Sequence, residues 1–264
     1  MRDPDLRGKT ALITGGGRGI GRATALALAR CGARLTVVAR TREEIERTAE
    51  EIRRMGGAAQ AVTCDVSSVG EVERLFRDAG PVDIVVNNAG IVQPIEPVAS
   101  ASPDAWLHNL AVNLNGVFLV SRYALPGMLE RGWGRIVNVS SGAARGTVAG
   151  WSAYSAAKAG VEAFTSVTAR EVGDRGVRVN AVRPGIVDTE MQVEIRGSNE
   201  EQFTRENVER FRGYKERGLL RDPADPARLI LWLLGPEADE VNGEVLSIDD
   251  PAVAARVGLV PMGR

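Results

Sequence analysis

The chain has 264 residues, room for one large domain or two small ones, and 44% hydrophobic against 25% charged residues is an ordinary globular balance. A net charge of −1 gives no electrostatic reason to expect nucleic acid or an anionic membrane as partner. Two cysteines, Cys31 and Cys64, and one histidine, His108, can build neither a disulfide framework nor a metal centre. The N-terminus, MRDPDLRGKT, lacks a leader-like apolar run, and no stretch is long enough to span a bilayer, so a cytoplasmic protein is expected.

Thr10 to Thr14 (TALIT) is a short apolar run that reads as a buried parallel strand. TGGGRGIG at 14–21 then opens directly into the helical RATALALAR. Glycines belong where backbone must turn tightly against a ligand, and the start of a helix offers free N–H groups to a pyrophosphate. Strand, glycines and helix in succession make this pattern far more specific than the glycines alone. Arg34 to Ala39 is a second strand, followed by a helix from about Arg42 to Met55 that Gly56-Gly57 ends.

A third strand ends at Val62-Thr63, and a fourth, Asp83 to Val86, runs into Asn87-Asn88-Ala89-Gly90. The stretch from Pro103 to Glu130 reads as a long helix bent or interrupted at Pro126. Arg135 to Val139 is a fifth strand ending in Ser140-Ser141, and strands six and seven are Val177 to Val182 and Glu244 to Ile248. Strands alternating with helices specify an α/β fold, a Rossmann-type doubly wound parallel sheet of about seven strands in a single domain. Asp188 to Leu220 breaks this regularity: it is densely charged and helical in pattern, and reads equally as a solvated surface or as a substrate lid.

Chemistry concentrates at Tyr154-Ser-Ala-Ala-Lys158, in an Ala-rich run expected to be helical. Residues four apart share a helix face, so a phenol and an ammonium meet there. A nearby cation favours the phenolate and is expected to lower the tyrosine pKa from ~10, fitting it to exchange a proton with a carbonyl or alcohol oxygen.

Taken together, TGGGRGIG, Asp65-Val66, NNAG at 87–90, Asn113 in VNLNG, Ser141, Tyr154, Lys158 and RPGIVDT at 183–189 resemble the classical short-chain dehydrogenase/reductase family over nearly the whole chain. The resemblance implies a Ser–Tyr–Lys active site supported by an Asn. Tyr154 would be the general acid/base and Lys158 would hold the cofactor ribose and depress the tyrosine pKa. Asn113 would anchor a water relaying protons to Lys158. Ser141 would hydrogen-bond the substrate oxygen. The Ser140-Ser141 pair could be assigned either way; family spacing favours Ser141, and strand alternation points Ser140 elsewhere.

For the cofactor, the resemblance implies Gly15, Gly19 and Gly21 at the pyrophosphate with Ile20 beneath, and Asp65 and Val66 at the adenine. It puts Asn87, Asn88, Ala89 and Gly90 along the ribose, and Pro184, Gly185, Ile186 and Thr189 at the nicotinamide. An NAD-selective site carries a carboxylate at the end of the second strand; here Ala39 is followed by Arg40, with Arg18 in the glycine loop. Two guanidinium groups suit a 2′-phosphate, so NADP(H) is expected over NAD(H).

The expected activity is reduction of a ketone or vicinal diketone, with 3-oxoacyl-carrier-protein reduction or a non-catalytic nucleotide sensor as rivals. Val92, Ala143, Trp151 and Met191 are expected in the substrate pocket. The lid start looks like the branch that includes sepiapterin and benzil reductases. The helices at 103–130 and 152–172, the latter with small residues on successive turns, imply pairing into a homodimer or homotetramer. Ser247-Ile248-Asp249-Asp250-Pro251 replaces the family's Asp-Gly-Gly turn, leaving the tail without an expectation.

Overall fold

The computed structural model describes residues 3–146 and 148–260. Strand and helix alternate through β1 (Thr10–Thr14), α1 (Gly19–Arg30), β2 (Arg34–Ala39), α2 (Arg42–Arg54), β3 (Ala58–Thr63), α3 (Val69–Ala79) and β4 (Ile84–Asn87). After α4 (Pro103–Leu110) and α5 (Gly116–Glu130) come β5 (Gly134–Val139), α6 (Ser152–Val172) and β6 (Val177–Arg183). The seven strands are parallel in the order β3-β2-β1-β4-β5-β6-β7, where β7 is Val245–Ser247. The chain winds outward from β1 in one direction and from β4 in the other. That reversal opens a crevice at the carboxyl ends of the strands.

Both sheet faces are covered, which is why β1 and β4 read as near-continuous apolar runs rather than alternating ones and β5 is buried along its whole length. Ile13, Leu28, Val37, Ile45 and Leu229 lie in the core on one face; Leu12, Val72, Val85, Val120 and Met128 lie in the core on the other.

One expectation is corrected, and one left open is narrowed. Pro126 is exposed inside α5 and does not interrupt it; the break comes earlier, in a π-helical turn at Ala111–Asn115. That wider turn carries the buried Asn113, whose Nδ2 donates to Asn109 Oδ1 (2.8 Å) and to the carbonyl of Ile91 (2.8 Å). Polar side chains that could find no partner mid-helix gain one by leaving the regular ladder.

The charged segment after β6 is likewise more than a solvated helix. It forms α7 (Glu190–Arg196), α8 (Glu200–Phe203) and α9 (Arg205–Glu216). Ile195, Phe203, Val208 and Phe211 point inward into a third apolar cluster with Val92, Ile95, Ala143, Trp151 and Tyr154. Thr204, between α8 and α9, has φ 65, a strained value for a β-branched residue, and its side chain accepts from Asn207 N to cap α9.

Both flanks of this segment meet at the backbone of Arg221, whose guanidinium is buried. The carbonyl of Ile186 accepts from Arg221 N (2.8 Å), and Asp188 N donates to the Arg221 carbonyl (2.9 Å). Arg221 Nη2 in turn donates to Asp249 Oδ1 at 2.9 Å. The atypical stretch after β7 therefore has a structural role: it anchors the segment between Asp188 and Leu220 through Arg221. α10 (Ala224–Leu233) packs back on α1, and α11 (Pro251–Arg256) is capped by Asp250, whose carboxylate accepts from Ala252 N.

Candidate active site

The glycine turn leaves β1 at Thr14, whose Oγ1 accepts from Asn88 N (3.0 Å) and Ala89 N (3.1 Å) and so ties the ends of β1 and β4 together. Gly15 and Gly19 have φ values of 63 and 52, open to glycine at little cost. A Cβ on Gly21 would stand 2.2 Å from the Gly15 carbonyl oxygen, so only a glycine lets the turn fold onto α1. No side chain caps the start of α1 and its first turn is free of acidic residues, leaving its N–H groups open to an anion.

A single cavity runs from here to the tyrosine. At its outer end it is lined by Arg18, Arg40, Asp65 and Val66; along its length by Gly15, Gly19, Ile20, Ala89 and Gly90; at its inner end by Ser141, Tyr154, Lys158, Pro184, Gly185 and Thr189. Three residues expected at the cofactor lie off its wall: Gly21, which packs against the Gly15 carbonyl, Asn87 and Ile186. Asn87 is buried, with Nδ2 donating to Ser121 Oγ (3.1 Å) and Asn138 Oδ1 (2.9 Å). Asn88 takes its place, its Nδ2 bonding the carbonyls of Thr14 and Gly15, each at 3.0 Å. Ile186 spends its carbonyl on Arg221, and its neighbour Val187 lines the cavity.

The outer end also holds a carboxylate that sequence position did not reveal. Glu44, in the first turn of α2, lines the cavity and lies 3.8 Å from Arg18. Arg40 is exposed beside Asp65. Burial raises the Asp65 pKa, but hydrogen bonds from Ser67 and the charge of Arg40 outweigh it, and the net shift is downward.

At the inner end, β5 delivers Ser141 and α6 delivers Tyr154 and Lys158 on one face. Lys158 Nζ donates to the Val139 carbonyl at 2.8 Å and lies 5.7 Å from the Tyr154 ring centroid. Asn113 Oδ1 accepts from Ile91 N (3.2 Å), and a Cβ on Gly90 would lie 2.7 Å from that oxygen and 3.7 Å from Lys158 Nζ. Ser140 is turned away as alternation requires: its hydroxyl donates to Glu162 Oε1 at 2.6 Å. Glu162, one turn after Lys158, also receives both arms of Arg183 at the end of β6.

The titration of the pair departs from expectation. Burial raises the Tyr154 pKa, and the hydrogen bond with Ser141 offsets this only in part. Burial also lowers Lys158 to about 8. In this arrangement desolvation outweighs the pull of the lysine on the phenol. Tyr154 therefore stays protonated through neutral pH, the form a general acid needs.

Beyond the tyrosine, Trp151 stacks on Phe203 (centroids 5.4 Å apart) and meets Tyr154 edge-on at 5.6 Å. Trp151 and Met191 line the cavity, joined by Gln192 and Ile195 from α7. Val92 and Ala143 are buried in the cluster behind that wall and support it rather than line it. Sequence reading did not separate Asn88 from Asn87, and it missed Glu44, Gln192 and the Asn87–Asn138–Thr165 chain that crosses β4, β5 and α6. Only the Asn pair in NNAG carried a signal: strand alternation allows just one of two adjacent side chains to face the crevice.

Among the described residues no helix is long and apolar enough to cross a membrane, and no group of His, Cys, Asp and Glu could hold a metal. The family model for short chain dehydrogenases matches residues 9–200. The chain is 36% identical over 248 residues to the 3-oxoacyl-acyl-carrier-protein reductase FabG of Pseudomonas aeruginosa, covering 92% of this chain and 97% of that one. In structure it is similar to a variant of actinorhodin polyketide ketoreductase with NADPH, at 38% identity and TM-score 0.81, covering 91% of this chain and 95% of that one. A short-chain dehydrogenase/reductase from Saccharomyces cerevisiae superposes with TM-score 0.83 at 32% identity, covering 94% and 99%. The chain belongs to the short-chain dehydrogenase/reductase family.

Proposed function

We propose that the protein is an NADP(H)-dependent reductase of a free, bulky ketone. The observation that carries this reading is the convergence of Ser141, Tyr154 and Lys158 at the closed end of the cavity that begins at the glycine turn. The residues fit a dinucleotide: glycines 15, 19 and 21 clear space before the uncapped start of α1, and Lys158 and Thr189 lie where the ribose and carboxamide of a nicotinamide would need partners. When bound, the cofactor supplies the hydride to the carbonyl carbon. Ser141 fixes the substrate oxygen, Tyr154 delivers the proton to it, and the ammonium of Lys158 stabilises the negative charge that develops on tyrosine and oxygen. The apolar Trp151–Phe203–Phe211 wall excludes water from that exchange.

The rival reading is reduction of a thioester on an acidic carrier protein, the reaction named for the Pseudomonas relative. It requires free positive charge around the lid. Here Arg205 pairs with Glu209 and Arg212 with Glu200, and Lys215 pairs with Asp188. Arg210 and Arg217 are exposed without an ion pair among the described residues, so the neutralisation is partial, and it favours a free ketone. Comparing benzil and benzoin with an acetoacetyl thioester under NADPH separates the two. Turnover of the diketone or hydroxyketone is expected; efficient thioester reduction without it overturns the choice.

For the cofactor, Arg40 has no carboxylate within ion-pair distance among the described residues, whereas Arg18 is partly claimed by Glu44. Arg40 is therefore the main partner for a 2′-phosphate. NADPH is expected to give the higher kcat/KM, and Arg40→Ala to lower it about tenfold for NADPH with little change for NADH, the loss typical of one charge-assisted pair. Equal efficiency of NADH in the wild type contradicts this.

The face of α6 that carries Ala156, Ala159, Ala163 and Val167 is exposed, as are Leu107 and Phe118 on the neighbouring α4 and α5. A two-fold axis along this face would bury them and brace the Tyr154 helix from outside. Light scattering at micromolar concentration is expected to give a dimer or tetramer; a monomer refutes the assembly.

A further inference from the structure

The substrate end of the cavity is apolar with one conspicuous exception. Gln192 lies on α7, one turn into the lid, and is only 8% exposed, yet it lines the cavity. Its Oε1 is buried with no hydrogen-bond partner, and its side-chain amide makes no hydrogen bond among the described residues. The indole Nε1 of Trp151, which lines the same cavity and is 6% exposed, is also buried and unpartnered. Orphaned buried donors and acceptors are rare because each keeps its full desolvation penalty. Two of them on the wall of the cavity that holds Tyr154 are a cost without structural return.

The simplest chemistry that satisfies both is a ligand carrying a second oxygen. We infer that Gln192 and Trp151 are the specificity-determining pair of the substrate pocket, and that they recognise a ketone bearing a neighbouring hydroxyl or carbonyl oxygen. An amide offers both an acceptor and a donor, so it can accept from a hydroxyl or donate to a carbonyl; the indole N–H can only donate. The reacting carbonyl is already served by Ser141 and Tyr154. The second oxygen is thus read by different groups, and a ketone without it leaves Gln192 and Trp151 unpaired. The aromatic wall of Trp151, Phe203 and Phe211 accommodates the apolar body of such a molecule. This inference rests on the carbonyl-reductase reading and specifies its substrate class.

The test uses two ketones of one carbon frame, benzoin, which has an α-hydroxyl, and 1,2-diphenylethanone, which lacks it. The readout is the ratio of their kcat/KM values under NADPH, wild type against Gln192→Met and Trp151→Phe. Comparing ratios between variants cancels the intrinsic reactivity of each ketone. The ratio is expected to drop about tenfold or more in each variant, the scale on which an unpaired buried polar group discriminates substrates. Melting temperature supplies the second readout. Met has nearly the volume of Gln and no polar atoms, so Gln192→Met is expected to keep or raise the melting temperature of the nucleotide-free protein. An unchanged ratio, or a lowered melting temperature with an unchanged ratio, overturns the inference and makes Gln192 an ordinary core residue. No turnover of any ketone by the wild type, with NADPH binding intact, instead overturns the underlying reading along with it.

Discussion

Tyr154→Phe is expected to lower ketone turnover by about 10²–10⁴-fold while leaving NADPH affinity within a few fold of wild type. The substitution removes one oxygen from a ring that is 7% exposed and packed edge-on against Trp151, so ring packing survives. What is lost is the proton. Burial holds the phenol above its ordinary value, so the wild type carries that proton through neutral pH. Lys158 sets the upper limit instead. Its pKa near 8 means that the ammonium is present below pH 8 and lost above it. With Tyr154 protonated throughout, kcat/KM for the nucleotide is expected to fall as pH climbs past about 8, because that parameter reports the free enzyme. Lys158→Met should flatten the fall along with lowering the rate. Stability moves the opposite way: the unfolded chain holds the Lys158 proton up to about 10.5, so between 8 and 10.5 this residue makes folding more favourable as pH rises.

Glu162→Leu is expected to have the largest effect on stability away from the reacting groups. Glu162 receives Ser140 Oγ at 2.6 Å and both arms of Arg183, and the Glu162 and Arg183 side chains are 15% and 14% exposed. Removing the carboxylate strands the Arg183 guanidinium in a largely dry site, a loss of about 3–5 kcal/mol. In a chain of this length that corresponds to a fall of roughly 2–4 °C in melting temperature per kcal/mol. Glu162→Leu combined with Arg183→Leu should recover much of the loss, because the stranded charge disappears with its partner. Asp5→Ala is the control, since Asp5 and Arg7 form a pair more than half exposed, worth little. The Glu162–Arg183 pair joins the ends of β5 and β6 to α6, so its removal should also reduce turnover by misplacing Ser141. A Glu162→Leu protein as stable as wild type counts against this coupling.

The parts of the molecule legible in the sequence are those where chemistry and period coincide. Seven apolar runs separated by helical stretches specified the sheet, and a tyrosine and lysine four residues apart specified the reacting face of α6. What escaped was tertiary. Pro126 is a strong local signal, yet it is tolerated on the exposed side of α5, while the break at Asn113 depends on Asn109 and Ile91, which only the fold brings near. The tyrosine pKa was read from its cation alone, and burial, which no short window of sequence reveals, proved larger. Glu44 follows Arg40 by four residues and shares the cavity with it because α2 begins at the mouth of the crevice. Charged residues hid the lid, since Ile195, Phe203, Val208 and Phe211 are sparse among them. Asp249 gained its meaning only with Arg221 buried behind Gly185.

The most direct measurement follows one hydrogen. NADPH deuterated at C4 of the nicotinamide, on the face that is transferred, is incubated with the protein and benzoin, and the alcohol product is analysed by mass spectrometry and NMR. Deuterium on the new carbinol carbon, with the hydroxyl proton drawn from exchangeable sites and the whole reaction suppressed in Tyr154→Phe, is the predicted result. A product whose carbinol hydrogen comes from water, or deuterium transfer at wild-type rate in Tyr154→Phe, contradicts the assignment of Tyr154 and its pocket as a carbonyl-reducing site.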